Sequence, residues 1–277
     1  MKLPENYNLK VDKKKLGEKI YSISERAIEL KDKDLFRKIF SLIDLTSLDV
    51  ADTEKKILGM VNKVNQLPDR FDGIPNVAAI CVYPVFIPLL ADNLVAKGVK
   101  KATVAASFPS SQTFNSIKYR EVEEVIRAGA DEVDIVLPVG KFLEEKYEEV
   151  FEEIRQIKEI TGDKHLKVIL ETSLLSEPEK IRYASFLALE AGADFIKTST
   201  GKNGPGASPE AVYIMCEAIR EFYQATKKVA GIKPAGGISD PATAIQYYLI
   251  VNEVLGNEWT NPSRFRIGAS KLANSLL

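Results

Sequence analysis

The sequence predicts an α/β chain folded as a (β/α)8 TIM barrel with an N-terminal helical extension, and three observations carry that expectation. Eight short runs of nearly continuous Val, Ile, Ala and Leu recur along the chain, as strands buried on both faces of a parallel sheet require. Amphipathic helical stretches separate them. The near-duplicates RAGADEVD (127–134) and EAGADFIK (190–197) then mark two helix-to-strand passages about 63 residues apart, the length of two βα units. The alternative is a doubly wound open sheet. No GxGxxG follows the first run, which weakens a dinucleotide-binding version of it.

The elements follow in order. Residues 1–40 are charged and helix-prone, with Leu16, Ile20, Ile23, Ala27 and Leu30 at helical spacing, and form the extension; the barrel takes 41–277. The runs are SLIDLTSLD (41–49), VAAICVYP (77–84), KATVAASFP (101–109), DEVDIVLPVG (131–140), LKVILETS (166–173), DFIKTSTG (194–201), VAGIKPAGG (229–237) and RFRIGAS (264–270). Tyr147, Val150, Phe151, Ile154 and Ile157 make one helical stripe, and Val212, Met215, Cys216, Ile219 and Phe222 another. Helix starts are signalled by Ser176 with Glu179 as a capping box, and by Pro209 after Ser208 and Pro241 after Asp240. Only KLANSLL follows the eighth run, about two helical turns, so the extension is expected to cover the barrel end left open.

Composition narrows the function. With 38 basic and 39 acidic residues the net charge is -1, which gives no electrostatic reason to expect nucleic acid or an anionic membrane. No apolar run is long enough to span a bilayer, and the two cysteines, Cys81 and Cys216, sit apart in apolar segments; a cytoplasmic protein is expected. The single histidine, His165, has no HxH or HExxH partner, so zinc hydrolysis and triad chemistry are poor candidates and no metal is expected.

Barrel active sites lie at the C-terminal ends of the strands, and the polar interruptions fall there. Asp44 and Thr46 interrupt the first run, Asp134 the fourth, Glu171 and Thr172 end the fifth, Lys197 ends the sixth and Lys233 the seventh. A lysine written into a core strand needs a reason. Neighbouring sixth and seventh strands, about 4.8 Å apart, bring Lys197 and Lys233 close enough that one must stay neutral near pH 7. A neutral lysine is a nucleophile toward carbonyls, a charged neighbour keeps it neutral, and a carboxylate relays protons. A purely structural Asp–Lys pair is the competing reading. Glycines after the seventh and eighth runs, Gly236, Gly237 and Gly268, with Ser270, sit where barrels of this kind hold phosphate; Lys202 is either a point charge toward that anion or a solvated loop residue.

KTSTGK at 197–202, KPAGGI at 233–238, EVDIVLPVG at 132–140, RIGAS at 266–270, AICVYP at 79–84 and IDLTSL at 43–48 together resemble class I deoxyribose-phosphate aldolase, in family order across about residues 41–272. The resemblance implies a cofactor-free, metal-independent lyase that cleaves 2-deoxy-D-ribose 5-phosphate to acetaldehyde and D-glyceraldehyde 3-phosphate. By position it makes Lys197 the Schiff-base lysine, Lys233 its charged neighbour and Asp134 the proton-relay carboxylate. Asp44, Thr46 and Cys81 would support the network, Cys81 reading equally as a small core residue. Gly201, Lys202, Gly236, Gly237, Gly268 and Ser270 would hold the phosphate. The implied partner is a small phosphosugar, with a homodimer as the assembly entertained. Lys271 departs from the second serine that many relatives carry there. Rival readings are another Schiff-base phosphosugar aldolase on this fold and a non-catalytic phosphosugar-binding barrel.

Overall fold

The computed structural model describes residues 7–30, 32–71 and 73–276; the first six residues of the expected extension lie outside them. Two helices come first, α1 (Lys13–Glu29) and α2 (Lys33–Phe40), and α2 runs into β1 (Ile43–Thr46). Then follow α3 (Glu54–Asn65), α4 (Leu67–Arg70), β2 (Ala79–Val82), α5 (Ile87–Asn93), β3 (Lys100–Val104), α6 (Asn115–Arg127), β4 (Glu132–Val136), α7 (Val139–Leu143), α8 (Tyr147–Thr161) and β5 (His165–Ile169). The chain ends with α9 (Pro178–Glu190), β6 (Phe195–Lys197), α10 (Pro209–Thr226), β7 (Gly231–Lys233), α11 (Pro241–Leu255), β8 (Ile267–Ala269) and α12 (Leu272–Leu276).

All eight strands are parallel, in the order β7-β6-β5-β4-β3-β2-β1-β8, and bridges Ile232↔Phe265 and Ala235↔Gly268 join β7 to β8. The sheet therefore closes, as a (β/α)8 barrel does. Alternation along each strand sends one set of side chains to the helices and the other to the axis. Val133 and Ile135 face outward into the main core with Val150, Ile154 and Ile157 of α8. Inward, β2 and β3 contribute a small apolar wall, Ala79, Cys81, Ala102 and Val104 under Leu48. The opposite wall, from β4 through β1, carries charge.

The extension departs from expectation. The stripe Leu16, Ile20, Ile23 and Ala27 is buried, but α1 lies on the outside of the helix ring against α10 and α11, not across the barrel end. Lys19 and Arg26 reach Glu253 of α11 at 3.1 and 2.5 Å, and the Tyr7 ring stacks on Phe186 of α9 at 4.1 Å. A narrow stripe fits the groove between two helices better than an open barrel mouth. The capping box at α9 does not form. Ser176 takes a left-handed φ of +57°, and Glu177 becomes the N-cap without a side-chain bond. Ser208 and Asp240 do cap their helices, accepting from Ala211 N at 3.1 Å and Thr243 N at 2.9 Å ahead of first-turn prolines.

Candidate active site

Asp134 is the hub of the charged wall. Register sets it beside Lys167 on β5, and Lys167 beside Phe195 on β6. Lys197 lies two residues beyond Phe195, and the shear of an eight-stranded barrel, about one residue per strand, brings it level with Asp134. Lys197 Nζ donates to Asp134 Oδ2 at 2.8 Å. Lys233 Nζ donates to the same oxygen at 2.8 Å, and Lys167 Nζ to Oδ1 at 3.0 Å. The two near-repeats in the sequence end on Asp134 and Lys197, so the duplicated passage delivers both halves of this contact.

A second tier supports the first. Asp44 on β1 is ion-paired with Lys233 at 2.6 Å through Oδ2 and accepts a hydrogen bond from Arg266 Nη1 at 2.7 Å through Oδ1. Arg266 also grips Glu132 through both terminal nitrogens, at 2.7 and 3.0 Å, while Lys167 meets Glu132 at 2.6 Å. His165 Nδ1 lies 3.2 Å from Glu132 Oε1 at the strand-entry side. The seven charged side chains other than His165 are exposed by 3% or less.

The charges set each other. Burial pushes the Asp134 carboxyl up, but the three lysines around it, Lys167 first and then Lys197 and Lys233, outweigh it and hold the carboxyl well below the usual range. Burial lowers the proton affinity of Lys233, yet Asp134 and Asp44 more than restore it, so this lysine stays charged. Lys167 is raised in the same way, against its burial, by Asp134 and Glu132. Lys197 goes the other way. Burial pushes it down, Asp134 pulls it back, and the charge on Lys233 leaves it below an ordinary lysine. Of the three interior lysines, Lys197 is the one moved toward the free amine.

Lys197 is also the interior lysine that reaches the open. A cleft of about 1330 Å³ opens over the C-terminal ends of the strands and runs on beside α3 and α12 toward Phe40 and Val77; at the strand ends it is lined by Thr46, Lys197, Gly201, Lys202, Gly236, Gly237, Gly268 and Ser270. Asp44, Asp134, Lys233 and Cys81 do not line it; they lie beneath its floor. Cys81 sits in the apolar wall, and burial pushes its thiol up, which suits a core residue. The loops after β6 and β7 approach backbone to backbone. A Cβ on Gly206 would stand 2.4 Å from the Gly236 carbonyl oxygen, so side chains are barred from this contact. Gly268 has a packing reason as well: a Cβ there would meet Ala235 at 2.8 Å and Lys233 Cε at 3.3 Å. Lys202 lines the cleft with its ammonium tied to the Leu48 carbonyl, and Thr46 Oγ1 donates to the Asp44 carbonyl at 2.8 Å.

Four functional side chains escaped the sequence reading. Lys167, Glu132 and Arg266 complete the network, and each is a charged residue inside an apolar run, the same signal that singled out Lys197. Glu171 reads in the sequence only as a strand-end residue. It takes a left-handed φ of +54° and binds Thr200 N at 3.1 Å and Thr200 Oγ1 at 2.5 Å, fixing the loop that follows Lys197. Among the described residues no group of three His, Cys, Asp or Glu is arranged to hold a metal ion.

Residues 39–249 match the family model described as DeoC/LacD family aldolase. A Caenorhabditis elegans protein given the name deoxyribose-phosphate aldolase is 37% identical over 269 residues, covering 96% of this chain and 88% of its own. A solved structure named QR15, an aldolase, shares 32% identity and a TM-score of 0.69 over 86% of this chain and 94% of the other. The Aeropyrum pernix deoxyribose phosphate aldolase, described as a unique tetrameric structure, has a TM-score of 0.69 at 24% identity over 92% of this chain and 94% of its own. At that identity the likeness speaks for the fold.

Proposed function

The chain belongs to the DeoC/LacD family of aldolases, and from that premise we propose that it reversibly cleaves 2-deoxy-D-ribose 5-phosphate to acetaldehyde and D-glyceraldehyde 3-phosphate through a Schiff base on Lys197. The observation that carries this is the pairing of a buried lysine, shifted toward its free amine, with a carboxylate 2.8 Å away at the floor of a cleft.

In this reading the Lys197 amine attacks C1 of the open-chain sugar, and loss of water from the carbinolamine gives an iminium. Asp134, through a water, takes the proton of the C3 hydroxyl as the C2–C3 bond breaks, and the electron pair of that bond flows into the iminium. D-Glyceraldehyde 3-phosphate leaves. The remaining enamine is protonated at C2, and hydrolysis releases acetaldehyde and the free lysine. Lys233 holds Asp134 ionised and adds the charge that disfavours a second ammonium beside it. Gly201, Lys202, Gly236, Gly237, Gly268 and Ser270, which line the cleft, are assigned to the phosphate: Gly201, Gly236, Gly237 and Ser270 through their backbone N–H groups, Lys202 through its charge, and Gly268, whose N–H goes to the Pro234 carbonyl, by leaving room for the anion. Asp44 and Thr46 hold the network from β1. The functional unit is residues 41–277, with 1–40 as an extension. We take the protein as cytoplasmic and as a homo-oligomer, a homodimer by the sequence-based expectation; light scattering tests the state.

Borohydride reduction in the presence of deoxyribose 5-phosphate and EDTA tests the reading. Mass spectrometry should find the adduct on the peptide bearing Lys197, with turnover unaffected by the chelator. Label on Lys233 or Lys202 reassigns the roles, absence of any adduct favours a binding barrel, and activity restored by a divalent ion overturns the metal-free mechanism.

A further inference from the structure

The network holds an unequal number of charges. Asp44, Glu132 and Asp134 face Lys167, Lys197, Lys233 and Arg266: three acids against four bases, every one almost fully buried. Ion pairs out of water are stable only when each charge has a partner, so one base in this set must be uncharged. It cannot be Arg266, because a guanidinium does not lose its proton in proteins.

The distances decide which lysine is left out. Lys167 has three carboxylates at 2.6, 3.0 and 3.9 Å, and Lys233 has two at 2.6 and 2.8 Å. Lys197 has one, at 2.8 Å, on an oxygen it shares with Lys233. Arg266 meanwhile claims Glu132 at two points and Asp44 at a third. It neither touches Lys197 nor lines the cleft, and its other neighbours are the Pro262 carbonyl and the Phe195 ring at 5.6 Å. The remaining titratable groups facing the set are His165, beside Glu132, and the Cys81 thiol.

We propose that Arg266 is a positioning residue whose fixed charge, lodged beneath the site, keeps the Lys197 amine unprotonated by leaving the three lysines one carboxylate short. The inference rests on the reading of Lys197 as the Schiff-base nucleophile. It assigns a chemical purpose to a residue that reaches neither substrate nor nucleophile. A buried arginine that merely ties β8 to β1 and β4 is indifferent to the charge count, and that difference is measurable.

The measurement is the pH dependence of borohydride-trapped adduct on the Lys197 peptide, with deoxyribose 5-phosphate as probe, in the full chain and three variants. Arg266→Met leaves three bases against three acids, so Lys197 gains proton affinity and the acidic limb of imine formation moves up by about one pH unit. Adding Glu132→Gln to Arg266→Met leaves three lysines against two acids and restores the shortfall. The limb then returns toward that of the parent although the core has been altered twice. Glu132→Gln alone leaves four bases against two acids, so the limb moves below its parent position. A purely structural role predicts adduct lowered at every pH with no movement of the limb, and a double variant worse than either single one; that result overturns the proposal. If circular dichroism shows Arg266→Met unfolded, Glu132→Gln carries the test, and a limb that stays put or moves up in it overturns the proposal. A parent that forms no adduct at Lys197 refutes the functional reading, whereas a trapping parent with an immobile limb refutes this inference alone.

Discussion

Two places in this molecule bury ammonium and carboxylate groups together, and they do so on different terms. Between α6 and α8, Lys118 meets Glu153 at 2.6 Å with both side chains 1% exposed, and the Ser111 hydroxyl completes the ammonium at 2.9 Å. Lys141 reaches Glu153 at 3.6 Å and Glu149 at 3.3 Å from the rim. Cations and anions match there, two against two. Inside the barrel they do not, and one lysine goes short of a partner. A matched cluster can only hold elements together. A mismatched one forces a group out of its ordinary protonation state, which is the condition a lysine nucleophile needs.

The sharpest way to break the comparison is to make one substitution in both places. Lys197→Met should abolish borohydride trapping and lower turnover by several orders of magnitude, because neither Lys167 nor Lys233, the other barrel-interior lysines, lines the cleft. Its thermal stability should be unchanged or raised by about 1 kcal/mol. The sign follows from linkage. The proton affinity of Lys197 is lower folded than unfolded, so this amine costs folding stability, and the cost grows as pH falls below the ordinary lysine range. Removing the amine removes that cost, and Asp134 keeps Lys167 and Lys233. Lys118→Met should do the reverse, leaving turnover within about twofold while costing about 3 kcal/mol, because Glu153 is left with only Lys141 at 3.6 Å. Denaturant midpoints and steady-state rates read both. Equal destabilisation at the two sites would erase the distinction.

Much of this was legible beforehand, for a physical reason. Strands of a closed parallel barrel are covered on both faces, so they read as continuous apolar runs, and a charge inside such a run stands out. Lys197, Lys233 and Asp134 were found that way. Lys167 in LKVIL, Glu132 in EVDIV and Arg266 in RFRIG carry the same signal, but a run apolar on both faces does not reveal which residues point to the axis. Only the register, Asp134 beside Lys167 and Glu132 beside His165, fixes that. The docking of α1 was hidden for a related reason. Its stripe shows that one face is buried but not that the groove between α10 and α11, with Glu253 at its edge, is what buries it. Glu171 escaped because its task, clamping Thr200 from a left-handed backbone, leaves no mark in residue type.

A third charged region, the cleft rim, sharpens the comparison at smaller scale. Ser270, Lys202 and Lys271 line the cleft and are exposed, so charges here are solvated and screened. Ser270→Asp should weaken deoxyribose 5-phosphate binding by about tenfold, roughly 1.4 kcal/mol, through repulsion of the phosphate. The loss should shrink as salt rises, and unphosphorylated deoxyribose should be little affected. Calorimetry at two ionic strengths reads this. An equal loss for both sugars would mean that the phosphate does not sit at this rim.

An effect of similar size, on a titration and not on an affinity, probes why Lys197 differs from Lys118. Burial is the larger reason its proton affinity falls, and the charge on Lys233 is the further one. Lys233→Leu removes that charge and leaves three bases against three acids. Lys197 should therefore bind its proton more tightly, by about one pH unit, each unit being worth about 1.4 kcal/mol. The acidic limb of imine formation should move to higher pH, and alkaline buffer should recover part of the lost rate, since the nucleophile remains. Lys118→Met, whose matched cluster has no link to the barrel interior, should leave the limb where it is. The rate of adduct formation against pH in the three proteins makes the comparison. An unmoved limb in Lys233→Leu, with activity uniformly low, would mean that Lys233 serves the proton relay through Asp134 and that burial alone sets the state of the nucleophile.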